Sequence, residues 1–343
     1  MANKLQQLLG IDVPIIQAPM AGVQDWRLAA AVSEAGGLGS IPCGMLDVAQ
    51  VVSAIENSCA ASSKPYNLNF FCHAMPEPNE PELKRWLQEL KPYYTEYGID
   101  QPSDLGALRL PFSQAVLDAI KPYRPPVISF HFGLPSQALL VQIKAWGAMV
   151  LSSATTIEEA LWLEANGADI VIAQGIEAGG HRGNFLSSDL STQLPTEALV
   201  NALNEQIALP IIAAGGIASR GDTEAMLQAG ASAVQVGTSY LLCTEATTSE
   251  VHRKALQGEG ETTITNVFSG RPARGITNRL IKEQGEMSPY APVFPYATAG
   301  SAPLRKAAEA KGLADFTPLW SGTNRSGFKP VSAADITREL SGR

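Results

Sequence analysis

Met149-Val150-Leu151-Ser152-Ser153, a segment from Thr156 to Asn166 closed by Gly167, and then Asp169-Ile170-Val171-Ile172-Ala173-Gln174 form the stretch that decides the fold. Two short apolar runs flank a segment with helix signals at both ends. Thr156 is a hydroxyl N-cap, Glu158 and Glu159 fall in the first turn where the helix dipole favours acids, and Gly167 supplies the stop. Runs that are apolar throughout, rather than alternating, suit parallel strands covered on both faces. Strand, helix and strand in this order make a parallel crossover unit.

The unit recurs in both directions. Residues 13–20, 38–41, 68–71 and 127–132 read as strands, interleaved with helices at 25–35, 47–60, 113–120 and 136–146. Downstream, 210–214 and 233–236 are strands, separated by a helix at 220–228, and a helix at 196–206 precedes them. Eight strand candidates, seven of them joined by helical crossovers, match a (β/α)8 TIM barrel of about 250 residues. A doubly wound open sheet is the competitor, and strand count favours the barrel. Two stretches break the rhythm. Residues 73–110, rich in Pro, Glu and Tyr, read as an insertion after the third strand; residues 251–343 read as a C-terminal accessory segment covering the mouth of a 1–250 barrel.

Composition narrows the function. Lys and Arg total 25 against 33 Asp and Glu, a net charge of −8, which argues against a general nucleic-acid binder. With 45% hydrophobic and 17% charged residues, the chain can bury a sizeable core. No apolar run reaches the roughly 18 residues of a membrane helix, and Met1 to Gln7 lacks the apolar stretch of a secretory signal. Cys43, Cys59, Cys72 and Cys243 have no metal-like spacing and read as reduced core thiols of a cytoplasmic protein. Self-association is left open.

Barrel chemistry sits at the C-terminal ends of the strands. There, Ala213-Ala214-Gly215-Gly216-Ile217 and Gln235-Val236-Gly237-Thr238 place glycines where strands seven and eight turn toward a helix. Glycine lets backbone N–H groups approach an anion closely, so the pair reads as a phosphate site. After the sixth strand comes Gln174-Gly175-Ile176-Glu177-Ala178-Gly179-Gly180-His181-Arg182-Gly183. This glycine-rich loop brings one imidazole, His181, to the mouth, where it could move protons or hydrogen-bond an anion. Glu177 could orient a neighbour or cap a turn. His131, at the end of the fourth strand, is a second polar group or a structural imidazole, while His73 and His252 read as solvated. No cluster has metal-ligand spacing, and no nucleophile elbow, P-loop or strand-linked dinucleotide fingerprint appears.

Together with Ile15-Ile16-Gln17-Ala18-Pro19-Met20-Ala21-Gly22 and His131-Phe132-Gly133, these motifs resemble the nitronate monooxygenases, strongly over residues 10–245 and more loosely beyond. The resemblance implies a TIM barrel holding FMN, with Asn69, Gln174, Gly179, Gly180, Gly215, Gly216, Gln235, Val236, Gly237 and Thr238 at the cofactor and Ala18 and Met20 along its ring. It implies His181 as the catalytic histidine and His131 as a substrate contact. Tyr296 and Lys306 are the nearest matches to further family positions in the C-terminal part. The implied reaction is oxidative denitrification of an anionic alkyl nitronate, such as propionate 3-nitronate, by FMN and O2, giving a carbonyl compound and nitrite. Flavin-dependent enoyl-acyl-carrier-protein reductases and NAD(P)H:quinone reductases share much of the pattern. A non-catalytic metabolite-binding barrel is the rival from another class.

Overall fold

The computed structural model describes residues 3–343. Eleven strands are present among them: β1 (Ile15–Gln17), β2 (Gly39–Pro42), β3 (Tyr66–Phe71), β4 (Val127–His131), β5 (Met149–Ala154), β6 (Ile170–Gln174), β7 (Gly180–His181), β8 (Ile211–Ala214), β9 (Ala233–Val236), β10 (Thr262–Thr265) and β11 (Ala273–Ile276). Eight pair in parallel in the order β1-β9-β8-β6-β5-β4-β3-β2. A parallel bridge between Ile16 and Leu38 brings the two ends together, supported by Gln17 N donating to Leu38 O and Leu38 N to Ile15 O, both at 2.9 Å. The result is the (β/α)8 barrel, with the expected crossover helix between each successive pair of barrel strands from β1 to β9.

Alternation along each strand divides the packing. Ile16, Leu38, Leu151, Ile170, Ile172 and Ile212 fill the barrel interior, and the N-terminal helix Lys4–Leu9 adds Leu5 and Leu9 to the same cluster. Val171, Ala173, Ala213 and Val234 face outward and bury against helix residues such as Leu163, Leu199 and Leu203. Among the described residues no helix is long and apolar enough to cross a membrane. All four cysteines are free; Cys43 and Cys243 are buried, but Cys59 is exposed. The core-thiol expectation fails at Cys59 because its helix, Val48–Ala61, buries Val51, Ile55 and Ser58 and leaves Cys59 off that face.

The two irregular stretches build one cover. Residues 80–97, unmarked as a helix in the sequence, form an 18-residue helix (Glu80–Tyr97). Trp86, Leu90, Tyr93 and Tyr94 recur at helical spacing and pack against Val267, Phe268, Leu304 and Phe316. Trp86 Nε1 donates to Ala297 O at 3.1 Å and the Tyr94 hydroxyl to Gly300 O at 2.7 Å, so the buried aromatic polar atoms are satisfied. A three-stranded antiparallel sheet, β10-β11-β7, joins this cover to the loop after β6. The last helix, Ala333–Ser341, turns back to the barrel wall, where Ala333, Ile336 and Leu340 share a core with Ile15, Leu28 and Val32.

Candidate active site

At the C-terminal ends of the barrel strands lies a cavity of about 1400 Å³, open solvent at its mouth included. The structure brings all the candidate positions to its wall: Ala18, Met20, Asn69, His131, Gln174, Gly179, Gly180, His181, Gly215, Gly216, Gln235, Val236, Gly237 and Thr238. Tyr296 and Lys306 do not line it. Tyr296 is buried with its hydroxyl donated to Pro76 O at 2.5 Å, and Lys306 is exposed on the helix Ala297–Glu309.

Backbone geometry explains the glycines on one side. Gly215 (φ 125°) and Gly216 (φ 71°) occupy conformations that L side chains rarely adopt. A Cβ on Gly215 would stand 2.7 Å from Thr196 Oγ1, and one on Gly179 would stand 2.5 Å from Gly322 N. Glu177 holds this corner: its carboxylate accepts from Thr196 N at 2.9 Å and Thr196 Oγ1 at 2.7 Å. It is thus an orienting residue, one of the two parts its sequence position allowed. Asn324 Nδ2 reaches over to donate to Gly216 O at 3.0 Å. The N–H groups of Gly215, Gly216 and Gly237 donate to no partner among the described residues, leaving a row of free donors at the closing turns.

The opposite side carries the imidazoles. β7 pairs with β11 through Ala273, opposite His181, so His181 is laddered to the cover sheet as well as held from the barrel. His181 Nε2 lies 2.8 Å from Ser269 Oγ, whose own proton is placed to reach Arg271 O at 3.4 Å. On that assignment Nε2 carries the hydrogen and Nδ1 is the basic nitrogen. His131 Nε2 meets His181 O at 3.1 Å and Nδ1 meets Ser153 Oγ at 3.0 Å. Gln174 Nε2 donates to the same carbonyl at 3.0 Å while its Oε1 accepts from Gly183 N at 2.7 Å. Burial holds His181 well below the usual imidazole range, with Arg109, His131 and Arg271 adding repulsion, and burial pulls His131 down to about 4. Both rings are therefore neutral at pH 7.

Aromatic rings enclose His181: Phe294 and Trp320 each at 5.6 Å between centroids, Phe132 at 6.2 Å and Phe71 at 6.4 Å. Phe132 has φ 70°, a strained setting for a bulky residue at the His131-Phe132-Gly133 turn. The expectation of solvated rings fails for the other two histidines. His73 is 6% exposed against Phe294 at 4.7 Å, with neither ring nitrogen in a hydrogen bond. His252 is 2% exposed, pairs through Nε2 with Trp320 O at 3.2 Å, and lines the cavity. Polar neighbours in sequence suggested solvent, but the cover folds both inward.

Several lining residues escaped the sequence reading: Arg109 from the insertion, and Trp320, Ser321, Gly322 and Asn324 from the C-terminal part. The Gly- and Ser-rich run Ser321-Gly322-Thr323-Asn324 was a usable turn signal. No group of His, Cys, Asp and Glu suited to a metal ion occurs among the described residues.

Fold and cavity define a (β/α)8-barrel enzyme with a neutral histidine facing a glycine-lined pocket. The family model described as nitronate monooxygenase matches residues 2–342. A nitronate monooxygenase of Paraburkholderia phytofirmans is 40% identical over 341 residues, covering 98% of this chain and 93% of the relative. One of Pseudomonas aeruginosa is 40% identical over 345 residues, covering 99% and 98%. The crystal structure of nitroalkane oxidase from Streptomyces ansochromogenes superposes with a TM-score of 0.90 at 35% identity, covering 99% of this chain and 97% of that one. The chain belongs to the nitronate monooxygenase family, and it is an oxidoreductase.

Proposed function

We propose that the protein is a nitronate monooxygenase that uses FMN and O2 to convert alkyl nitronates, propionate 3-nitronate among them, to a carbonyl compound and nitrite. The observation that carries this reading is His181: neutral, buried, boxed by aromatic rings, and sharing one cavity with the free backbone donors of Gly215, Gly216 and Gly237.

The family is one of flavin enzymes, and the residues present fit the mononucleotide. The unpaired N–H groups at two strand-end turns suit a phosphate. Ala18 and Met20 offer an apolar wall for a flat ring, and a Cβ on Gly237 would crowd them at 3.3 and 3.4 Å. Asn69 and Gln235 lie between as polar groups, and Gln235 Oε1 is buried without a protein partner. Bound here, FMN would supply the redox chemistry that links the nitronate to O2.

The chain's own part is to bind, orient and exclude water. For a neutral nitroalkane the Nδ1 of His181 is the base that takes the α-proton, and the imidazolium so formed donates from Nδ1 to the anionic head of the resulting nitronate. Ser269 fixes the ring through Nε2. His131 has both nitrogens engaged by protein, so it holds the His181 main chain and offers substrate only its ring edge. Phe71, Phe132, Phe294 and Trp320 keep the site dry. We place the protein in the cytoplasm, in keeping with its four free thiols.

The test is a visible spectrum of the purified protein before and after ethyl nitronate, with nitrite assayed. A yellow protein that releases nitrite supports the reading; a colourless one that cannot be reconstituted with FMN refutes it. Anaerobic mixing with NADPH separates it from a reductase, since rapid bleaching of the flavin would count for the latter.

A further inference from the structure

Arg109 enters the cavity from the insertion after β3. Its place is fixed just downstream: Phe112 N donates to Phe71 O at 2.8 Å, and the Phe112 ring packs on Phe70 at 4.8 Å and Phe130 at 5.4 Å. The guanidinium is largely enclosed, and its one side-chain hydrogen bond among the described residues is to a neutral group, Thr298 Oγ1 at 2.8 Å from Nη1. Among the described residues no carboxylate pairs with it; burial and repulsion from Arg305 both work against its charge. Its other N–H groups are not sealed against protein, and the side chain forms part of the cavity wall.

A second guanidinium strengthens the same field. Arg271 lies 3.9 Å over the Phe132 ring, bonds the Asn184 carbonyl, and keeps a buried Nε with no partner. The cavity's imidazole side is therefore positive, and the enclosed cation of Arg109 has no counter-ion among the described residues. Burying such a charge is costly unless an anion joins it. A nitronate and its parent nitroalkane differ by one proton and have nearly the same shape, so steric fit separates them poorly while charge separates them well.

We propose that Arg109 is a specificity-determining residue of this site, the group that favours the anionic nitronate over the neutral nitroalkane. This deepens the proposed function and rests on it.

The experiment compares holoenzymes of the wild type, Arg109→Gln and Arg109→Lys. Ethyl nitronate and nitroethane are the substrates, and nitrate, a planar anion that does not react, is titrated by calorimetry. Loss of a charge-assisted hydrogen bond should raise the KM for ethyl nitronate by roughly 10- to 100-fold in Arg109→Gln. kcat should stay within about 3-fold, because the interaction serves ground and transition states alike. Nitrate should weaken by a similar factor, nitroethane affinity should hold, and Arg109→Lys should recover most of the loss. Equal losses for the charged and neutral compounds, or unchanged KM and nitrate affinity, overturn the assignment. If the wild type releases no nitrite from any nitronate, the proposed activity falls, and the nitrate titration still decides the part played by Arg109.

Discussion

His131 Nε2 stands 3.1 Å from the main-chain carbonyl of His181, fifty residues further along the chain. One imidazole thus sets the position of the other through the backbone, and neither ring nitrogen of His131 is left for chemistry. Replacing His131 with Phe should keep the volume and remove the donor. The expected result is a lower kcat for nitrite release with flavin still bound, and a stability loss of about 1–3 kcal/mol. An unchanged kcat would show that Gln174 alone positions His181.

His181→Asn tests the proposed acid–base group directly. The shorter amide ends near the position of Nδ1, gives up the Nε2 contact with Ser269 and has no titrating nitrogen. Turnover of neutral nitroalkanes should fall by on the order of 10²-fold or more, with an unaltered flavin spectrum. Wild-type rates in this variant would remove His181 from the mechanism.

Burial of neutral histidines predicts acid sensitivity. His73, His131 and His252 are each pulled down to about 4, chiefly by burial, and His181 lies well below its usual value. As pH falls through about 6.5 the unfolded chain takes up protons that the folded protein refuses. Stability is therefore complete above that pH and declines toward pH 4, by up to about 1.4 kcal/mol per pH unit for each histidine. Tm measured from pH 8 to 4 checks this. His252→Gln, which can still donate to Trp320 O, should make the acid decline shallower; an identical slope would contradict the assignment.

Gly179 and Gly180 should respond differently to Ala. At Gly179 the new Cβ would meet Gly322 N and Ser321 C at 2.5 Å, both main-chain atoms. Residues 320–324 must then move, at about 1–3 kcal/mol, and flavin retention on ultrafiltration should drop at least tenfold. At Gly180 (φ 74°) nothing lies within 4 Å, so only left-handed strain of about 1–2 kcal/mol applies and the flavin should stay. Equal behaviour of the two variants would disprove the close-packing argument.

The barrel and much of its pocket were readable in the sequence because their determinants are local. Ile170 to Ala173 is apolar throughout since a parallel strand buries both faces, and Gly215-Gly216 marks a turn that needs positive φ. The cover was not readable. Pro81 and Pro92 obscured the helix Glu80–Tyr97, although Trp86, Leu90, Tyr93 and Tyr94 carried its period. Arg109, His252 and Asn324 reach the cavity only through long-range packing, which no short window records. His73 looked solvated for the same reason: the ring that buries it, Phe294, lies far along the chain.

Because β7 is laddered to β11 while the carbonyl of the same residue is gripped from β4 and β6, the imidazole at 181 is stitched both to the roof and to the staves below it. Lifting that roof would have to break one set of these ties, so the ring acts as a rivet between the two layers.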